Sequence, residues 1–404
     1  MSNLFYDWNG YNQSEQSCRI VDDTLRDGLQ SPNVTAPTLS EKLTLIDCMV
    51  KNGIYSLIAS YPAASRDLFD ETVAMLRHIR DNNYQIIPSL AGRTALQDLQ
   101  PIADLQQGFG RQLRAYAFIA CSPIRQSVEN WDLAFICGRI EESLKYLISE
   151  NVFPIIVIED STRCKLDDLR TVICCAVDNG AKSITIADTV GYINPEGVRN
   201  LMGFVRSIIG NRVEIEWHGH NDRGLAVANA LTAIHCGVDY VHTTAAGIGE
   251  RTGNLSFEQL LVNLWLDGFC DHKLTFANEF AALTAQYTHT EIASSQPIIG
   301  SDIFTTGTGV HAAAILKALK SGDTVLADSV YSSVPARLLG REQNIEIGQM
   351  SGHANVEAKL RQMGLPYSDT IADAVLRAAK SSSHFLTDVE IIRLVNTNSK
   401  EQQI

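Results

Sequence analysis

The 404-residue sequence has no dense run of lysine and arginine, and its formal net charge is −13. Nucleic acid is therefore not expected as a partner, because binding it requires a basic surface. No segment approaches the roughly 18 uninterrupted apolar residues of a membrane span, and the N-terminus lacks the basic and apolar regions of a signal peptide. The nine cysteines include no CxxC pair. They predict reduced thiols in a cytoplasmic protein.

Length and composition predict a globular protein with more than one domain. The chain is 45% hydrophobic and 20% charged, which is enough apolar material for a full core. Its length fits one domain of about 250 residues with a smaller appendage. Because the overall field is negative, an anionic substrate has to be held by specific arginines or by a metal.

Eight short apolar or β-branched segments alternate with helical patterns in the first two thirds of the chain. The expected strands are Cys18–Asp23, Tyr55–Ala59, Gln85–Ser89, Leu113–Ala120, Phe153–Ile158, Ser183–Ala187, Val213–Trp217 and Tyr240–Thr244. This order predicts a (β/α)8 barrel, and an open doubly wound sheet is the main alternative. We expect the barrel domain to occupy residues 1–285 and a mainly helical appendage to occupy residues 286–404.

Two local segments bear on the helix assignment. The stretch 91–111 shows no regular pattern between the third and fourth strands. Ser40 is expected to cap the first long helix, since a serine directly before a periodic segment is a typical N-cap.

The sequence His218-Gly219-His220 directly follows the seventh expected strand. Residues i and i+2 of a strand point to the same face, so both imidazoles can bind one metal ion. Imidazole suits zinc and other first-row divalent metals. The alternative is a pair of hydrogen-bonded surface histidines, because HxH alone is a weak pattern.

Other ligand-type residues also follow strands, where a barrel carries its functional groups. They are Asp22, Asp23, Arg26 and Asp27 after the first strand, Glu159 and Asp160 after the fifth, and Asp188 and Thr189 after the sixth. A solvated rim would also be polar. Ligand-type side chains at four of the eight positions nevertheless favour a functional site at this end of the barrel.

A glycine-rich loop, residues 247–254, follows the eighth strand. Its glycines allow the backbone to pass close to a ligand. It superficially matches GxGxxxG, but a dinucleotide fingerprint follows the first strand of its domain rather than the last. The alternative is an ordinary turn in which Asn254 caps the next helix.

Four segments resemble, in order and spacing, the motifs of the metal-dependent Claisen-type synthases and lyases. This group includes isopropylmalate, homocitrate and citramalate synthases and hydroxymethylglutaryl-CoA lyase. The segments are Val21–Gln30 (VDDTLRDGLQ), Asp188–Gly191 (DTVG), His218–Asp222 (HGHND) and Gly249–Asn254 (GERTGN). The last one is similar to the synthases rather than the lyases, as are Ile299–His311 and Ser351-Gly352 in the appendage.

The resemblance implies a set of site residues. Asp27, His218 and His220 are expected to bind a divalent metal (Mn, Mg, Zn or Co), with Asn254 as a further ligand. Arg26 is expected to stabilise the enolate or keto oxygen, and Glu250 and His311 to assist proton transfer. From their place on the predicted rim, Glu159 is expected as a further catalytic group and Thr189 as a substrate contact. Gln30 and Arg125 are also expected as substrate contacts.

The activity implied is condensation of acetyl-CoA with a 2-keto acid and hydrolysis of the thioester, most like 2-isopropylmalate synthase of leucine biosynthesis. The alternatives are a homocitrate or citramalate-type synthase, a metal-dependent aldolase or thioester lyase, and a catalytically weakened binding protein. The resemblance also implies a homodimer in which one appendage covers the other chain's barrel, so His311 acts in cis or in trans. We expect no leucine-binding regulatory domain, and hence no leucine feedback through one.

Two departures from the family pattern concern the substrate. Ile58 stands where many relatives have a glutamate, and Arg125 stands where the synthases commonly have a histidine. A lost carboxylate and an added arginine raise the hypothesis of a dicarboxylic keto acid. A strong preference for 2-oxoisovalerate over 2-oxoglutarate would contradict it.

Overall fold

Eight parallel strands close into a barrel, which confirms the expected (β/α)8 architecture and excludes the open sheet. The computed structural model describes residues 18–270 and 273–401. The strands are β1 (Arg19–Asp22), β2 (Ser56–Ser60), β3 (Ile87–Arg93), β4 (Arg114–Ala120), β5 (Phe153–Glu159), β6 (Ser183–Asp188), β7 (Glu214–Gly219) and β8 (Tyr240–Thr243). β8 pairs with β1 over four residues, which closes the barrel.

Helices follow the strands and cover the outside of the barrel. They are α1 (Leu39–Lys51), α2 (Arg66–Asp81), α3 (Leu96–Phe109), α4 (Pro123–Glu129), α5 (Leu133–Ser149), α6 (Leu166–Asp178), α7 (Pro195–Ile209), α8 (Ala226–His235), α9 (Phe257–Leu266) and α10 (Thr275–Thr288). The chain forms two compact units, Met1–Glu291 and Ile292–Ile404, and the barrel lies in the first.

The first helix begins two residues earlier than a cap at Ser40 would place it. The expectation that Ser40 is the N-cap was wrong, because Thr38 has that role. The Thr38 side chain accepts from the amide of Glu41, and the Glu41 carboxylate accepts from the amide of Thr38 at 2.7 Å. Such a capping box satisfies two amides that would otherwise lack partners, so the helix starts at Leu39.

The stretch 91–111 is the end of β3 followed by α3. Pro101 lies inside this helix, and an interior proline normally indicates a helix end, which explains the unclear pattern. The region between β4 and β5 contains two helices, α4 and α5. Asn130, with φ of 56°, adopts the left-handed conformation between them and ends the first.

Strand β7 runs through Gly219, so His218 lies within the strand rather than after it. Strand alternation places Glu216 and His218 on the inner face and Trp217 on the outer face. The inner face of the barrel also carries a cluster of buried residues that includes Ile58, Ala91 and Tyr116.

The second unit is mainly helical. Its helices are α11 (Gly309–Lys320), α12 (Thr324–Ser329), α13 (His353–Gln362), α14 (Asp369–Ser381) and α15 (Asp388–Glu401), and β9 (Thr305–Thr306) pairs with β10 (Asn344–Ile345). Val356, Val375 and Ile391 are fully buried members of its core. None of the described helices of either unit is long and apolar enough to cross a bilayer.

Candidate functional site

Asp27, His218 and His220 bring three ligand atoms together at the carboxyl end of the barrel. Nε2 of His218 lies 3.2 Å from Oδ2 of Asp27 and 3.3 Å from Nε2 of His220. The third separation, between His220 Nε2 and Asp27 Oδ2, is 3.5 Å. Two atoms that share an ion at about 2.1 Å are roughly 3.0–3.4 Å apart, so the three buried side chains fit one divalent metal.

The protonation states of these residues also suit a metal. Burial opposes ionisation of Asp27, but Arg26 and His218 outweigh it and hold the pKa of Asp27 below its usual range. Burial, aided by His218, lowers the pKa of His220 to about 4. At neutral pH the site therefore offers a carboxylate and a neutral imidazole, which are the forms that bind metal ions.

The glycine-rich loop after β8 places Asn254 beside His220, with which it forms an isolated antiparallel bridge. Asn254 donates from Nδ2 to the carbonyl of Ile248 at 3.2 Å, and its buried Oδ1 has no hydrogen-bond partner in the described part of the chain. A Cβ on Gly249 would lie 2.2 Å from that Nδ2, so the amide needs glycine there. An unpartnered buried oxygen fits a metal ligand. The alternative helix-cap role was wrong, because Ser256 caps α9.

Asp23 connects Arg26 with His218. Its carboxylate accepts two hydrogen bonds from the Arg26 guanidinium, one of them from Nε at 2.9 Å. Its Oδ2 lies 3.8 Å from Nδ1 of His218, the ring nitrogen on the opposite side from Asp27. Paired hydrogen bonds fix the plane of a guanidinium, so Asp23 orients the arginine while placing a negative charge behind the histidine.

A buried charge network lies beneath the histidines. Glu216 is fully buried and accepts from Arg114 Nη2 at 2.8 Å, from the Tyr116 hydroxyl at 2.8 Å and from His242 Nε2 at 2.9 Å. Burial would raise the pKa of Glu216, but Arg114 and His242 lower it below its usual value. The His242 ring packs edge-to-face on His218 at 5.3 Å. An ionised, fully bonded carboxylate thus supports the residues above it.

A cavity of about 240 Å³ opens beside Asp27, His218 and His220 at the end of the barrel. The expected site residues on its lining are Arg26, Asp27, Gln30, Glu159, Thr189, His218, His220 and Glu250. Burial raises the pKa of Glu159 against the opposing effect of Arg125 and Arg26. A carboxyl group with a raised pKa can take up and release a proton closer to neutral pH.

The remaining two expected site residues are Arg125 and His311. Arg125 is on α4 and does not line the cavity, and its Nη2 lies 3.2 Å from the Glu129 carboxylate. His311 belongs to the second unit, in the first turn of α11, where its ring stacks on Tyr331 at 3.8 Å between centroids.

Arg251 fixes the loop that carries Glu250, and the sequence motif alone did not assign it this role. Its Nη2 donates to the carbonyl of Thr189 at 2.6 Å, and its Nε donates to Asp222 at 2.8 Å. The loop after β8 is therefore tied to the loops after β6 and β7. Gly253, with φ of 86°, allows this path, since a Cβ there would lie 1.9 Å from the carbonyl oxygen of Gly247.

Other functional candidates were missed, namely Glu216, His242, Tyr61, Tyr116 and Phe118. A signal for the first was present, because Glu214, Glu216 and His218 alternate along one strand and must share one face, with His220 two residues further on. The aromatic residues had no such signal, since buried strands of any barrel contain them.

Comparisons with known proteins identify the family and the fold. A family model described as HMGL-like matches residues 17–285. Homocitrate synthase of Sulfurisphaera tokodaii is 29% identical over 385 residues, which cover 94% of this chain and 80% of the relative. A protein of Ignicoccus hospitalis named probable 2-isopropylmalate synthase is 30% identical over 365 residues, covering 89% and 85%. A solved HMG-CoA lyase of Acinetobacter baumannii, in complex with coenzyme A and 3-methylmalate, shares the fold with a TM-score of 0.60 at 18% identity, covering 72% of this chain and 98% of the lyase.

Proposed function

Because this chain belongs to the HMGL-like family, we propose that it condenses acetyl-CoA with a 2-keto acid in a divalent-metal-dependent Claisen reaction and hydrolyses the thioester. The observation that carries the proposal is the triangle of Asp27, His218 and His220 at the cavity, with Arg26 beside it. Relatives named homocitrate synthase and 2-isopropylmalate synthase, at 29% and 30% identity, support a condensing enzyme over a lyase.

The reaction needs a polarised ketone and a carbon nucleophile. A divalent ion held by Asp27, His218, His220 and Asn254 would supply Lewis acidity toward the keto acid. Removal of a proton from the acetyl methyl group gives the nucleophile, which attacks the keto carbon. The keto oxygen gains negative charge and then a proton, and water releases free coenzyme A from the thioester.

Residues of this chain have separate roles in these steps. Arg26 borders the cavity with its plane fixed by Asp23, so its permanent positive charge can stabilise a developing oxyanion. Thr189 accepts the amide hydrogen of Asp160 at 2.8 Å, and its own hydroxyl proton can be donated to a substrate carboxylate. Gln30 at the rim offers a further amide contact.

Proton transfer is assigned to Glu159, Glu250 and His311. Glu159 borders the cavity with a raised pKa, and Glu250 lies at its exposed rim. The role of His311 rests on the family resemblance. The same resemblance implies a homodimer, which would bring this residue to a barrel. Mixing inactive Asp27→Ala and His311→Ala proteins after partial unfolding and refolding tests this. Recovered activity means that His311 acts across the dimer, and no recovery means that it acts within one chain.

The test of the proposed activity is the release of coenzyme A thiol from acetyl-CoA with a panel of 2-keto acids, with and without EDTA. We expect release with at least one keto acid, loss of release with EDTA, and recovery on adding Mn²⁺, Mg²⁺, Zn²⁺ or Co²⁺. Release from no member of the panel would overturn the proposal. Cleavage of a 3-hydroxyacyl-CoA without any condensation would favour a lyase instead.

A further inference from the structure

The cavity wall has two chemically different sides. The polar side consists of Arg26, Asp27, Thr185, His218, His220 and His242, from the loop after β1 and from β6 to β8. The apolar side is formed by Ile58, Tyr61, Ala91, Tyr116, Phe118 and Val157, from β2 to β5 and the residue after β2, and Glu159 at the end of β5 adjoins it. In the strand register Ala91 is opposite Tyr116, and Phe118 is opposite Val157, so these side chains form one continuous surface.

The two tyrosine hydroxyls of the apolar side are already bonded. Tyr116 donates to Glu216 at 2.8 Å, and Tyr61 donates to Asp98. The Tyr61 ring also packs edge-to-face on Phe118, with centroids 5.9 Å apart. Both tyrosines therefore present ring carbon rather than a polar group to this part of the cavity.

The arginines near the apolar side form ion pairs with residues that do not line the cavity. Among the described residues on the cavity lining, Arg26 is the only arginine or lysine, and it is bound to Asp23 on the polar side. Arg93 pairs with Asp98, with over half of its side chain exposed. Arg125 pairs with Glu129, and its remaining influence falls on Glu159, whose pKa it lowers against the effect of burial. Neither lines the cavity.

The carboxylates of the cavity add to this charge pattern. Asp27, Glu159 and Glu250 line it, against the single guanidinium of Arg26. The 1-carboxylate and keto oxygen of a substrate can use the metal and the polar side. A second carboxylate on the substrate would meet carbon surface and acidic neighbours, without an arginine or lysine on that side of the lining to offset the loss of its hydration.

We propose that the substrate is a 2-keto acid with an apolar alkyl side chain, which lies against Ile58, Ala91 and Phe118. This inference rests on the proposed function and names the substrate class of that site. It opposes the dicarboxylic hypothesis drawn from Ile58 and Arg125, because the structure places the Arg125 guanidinium outside the cavity lining.

The test compares kcat/KM for 2-oxoisovalerate and 4-methyl-2-oxopentanoate with kcat/KM for 2-oxoglutarate and oxaloacetate, using the metal-loaded full chain. We expect the better alkyl substrate to exceed either dicarboxylate by about 100-fold. An equal or higher value for a dicarboxylate would overturn the inference while leaving the proposed function intact. Thiol release with none of the four would instead count against the proposed function.

Variants of the cavity lining test which residues determine the preference for alkyl over dicarboxylic substrates. Ile58→Arg places a cation on the apolar side, and we expect the ratio of alkyl to dicarboxylate kcat/KM to fall at least about 10-fold. Ala91→Leu, which adds no charge, narrows the same side and should lower kcat/KM for 4-methyl-2-oxopentanoate more than for pyruvate. Ala91→Leu still tests the proposal if Ile58→Arg does not fold. Arg125→Ala should change both substrate classes by the same factor, and a selective loss of 2-oxoglutarate turnover would contradict the proposal.

Discussion

The polar side of the cavity is held in place by ion pairs, whereas the apolar side is held by packing. Asp23 orients Arg26, and Glu216 bonds three partners beneath the histidines. Ile58 and Ala91 have no polar groups in their side chains and are 1% and 2% exposed. The polar side therefore tolerates little change without losing the reaction, while the apolar side can change to select another substrate.

The largest effect is expected from removing a proposed metal ligand on the polar side. Asp27→Ala or His218→Ala should abolish bound metal and lower kcat/KM by about 1000-fold or more, since the charge stabilisation of the whole site is lost. Metal content measured by atomic emission and thiol release are the readouts. His353→Ala, an exposed histidine that pairs with Asp373 in the second unit, is the control. Full activity in either ligand variant would refute the metal assignment.

The next effect concerns the support beneath the polar side. Glu216→Ala leaves the buried Arg114 guanidinium without its 2.8 Å partner and should lower the free energy of unfolding by about 3–5 kcal/mol. Urea unfolding measures it. Glu214→Ala is the matched control, because that half-exposed carboxylate lies 4.0 Å from the same guanidinium and should contribute less than about 1 kcal/mol. Equal losses in the two variants would mean that the network is not a structural support.

A smaller effect is expected at Asp23, which contacts the site without being a proposed ligand. Asp23→Asn should weaken metal affinity about 10- to 100-fold, because the charge behind His218 is removed. Calorimetric titration with Mn²⁺ measures this independently of activity. Burial raises the pKa of the neighbouring Asp22 to about 8, so Asp22 is already uncharged at neutral pH, and Asp22→Asn should bind as wild type does. Equal Mn²⁺ affinity in wild type and in Asp23→Asn would contradict a positioning role for Asp23.

The smallest effect lies where the two sides meet, at Glu159. Burial raises its pKa above the ordinary 4.5, so the folded chain binds this proton more tightly than the unfolded chain. This contribution to stability is fully present below the ordinary pKa and is lost as pH rises through the folded value. Glu159→Gln, which cannot ionise, should therefore gain stability relative to wild type as pH rises. Urea unfolding of both proteins at a series of pH values measures this difference in stability. A difference that does not change with pH would contradict the burial argument.

Much of the polar side could be predicted from the sequence. Residues that can bind a metal follow the ends of several strands, and two of the histidines have the i, i+2 spacing of one strand face. The motifs that contain Asp27, His218 and Asn254 follow the first, seventh and eighth strands, which become neighbours once β1 pairs with β8. Arg125 was expected at the substrate because it stands where the synthases commonly have a histidine. The break at Asn130 and the ion pair with Glu129 are properties of the folded chain.

The apolar side could not be predicted in the same way. Ile58, Ala91 and Val157 have the composition of any buried strand, and nothing local says whether they face the cavity or the surrounding helices. The answer depends on register, and the pairing of β2 with β3 shifts between Ile58 and Ser60. A one-residue shift moves a side chain to the other face, so substrate selectivity is encoded in strand pairing rather than in a motif.

The measurement that tests both sides together is the visible absorption spectrum of the Co²⁺-loaded protein during titration with keto acids, without acetyl-CoA. The account predicts that 2-oxoisovalerate and 2-oxoglutarate both change the spectrum, with the alkyl compound acting at a concentration at least about 10-fold lower. No spectral change with either compound would contradict a metal site open to substrate. Tighter binding of 2-oxoglutarate would contradict the apolar side as the determinant of substrate class.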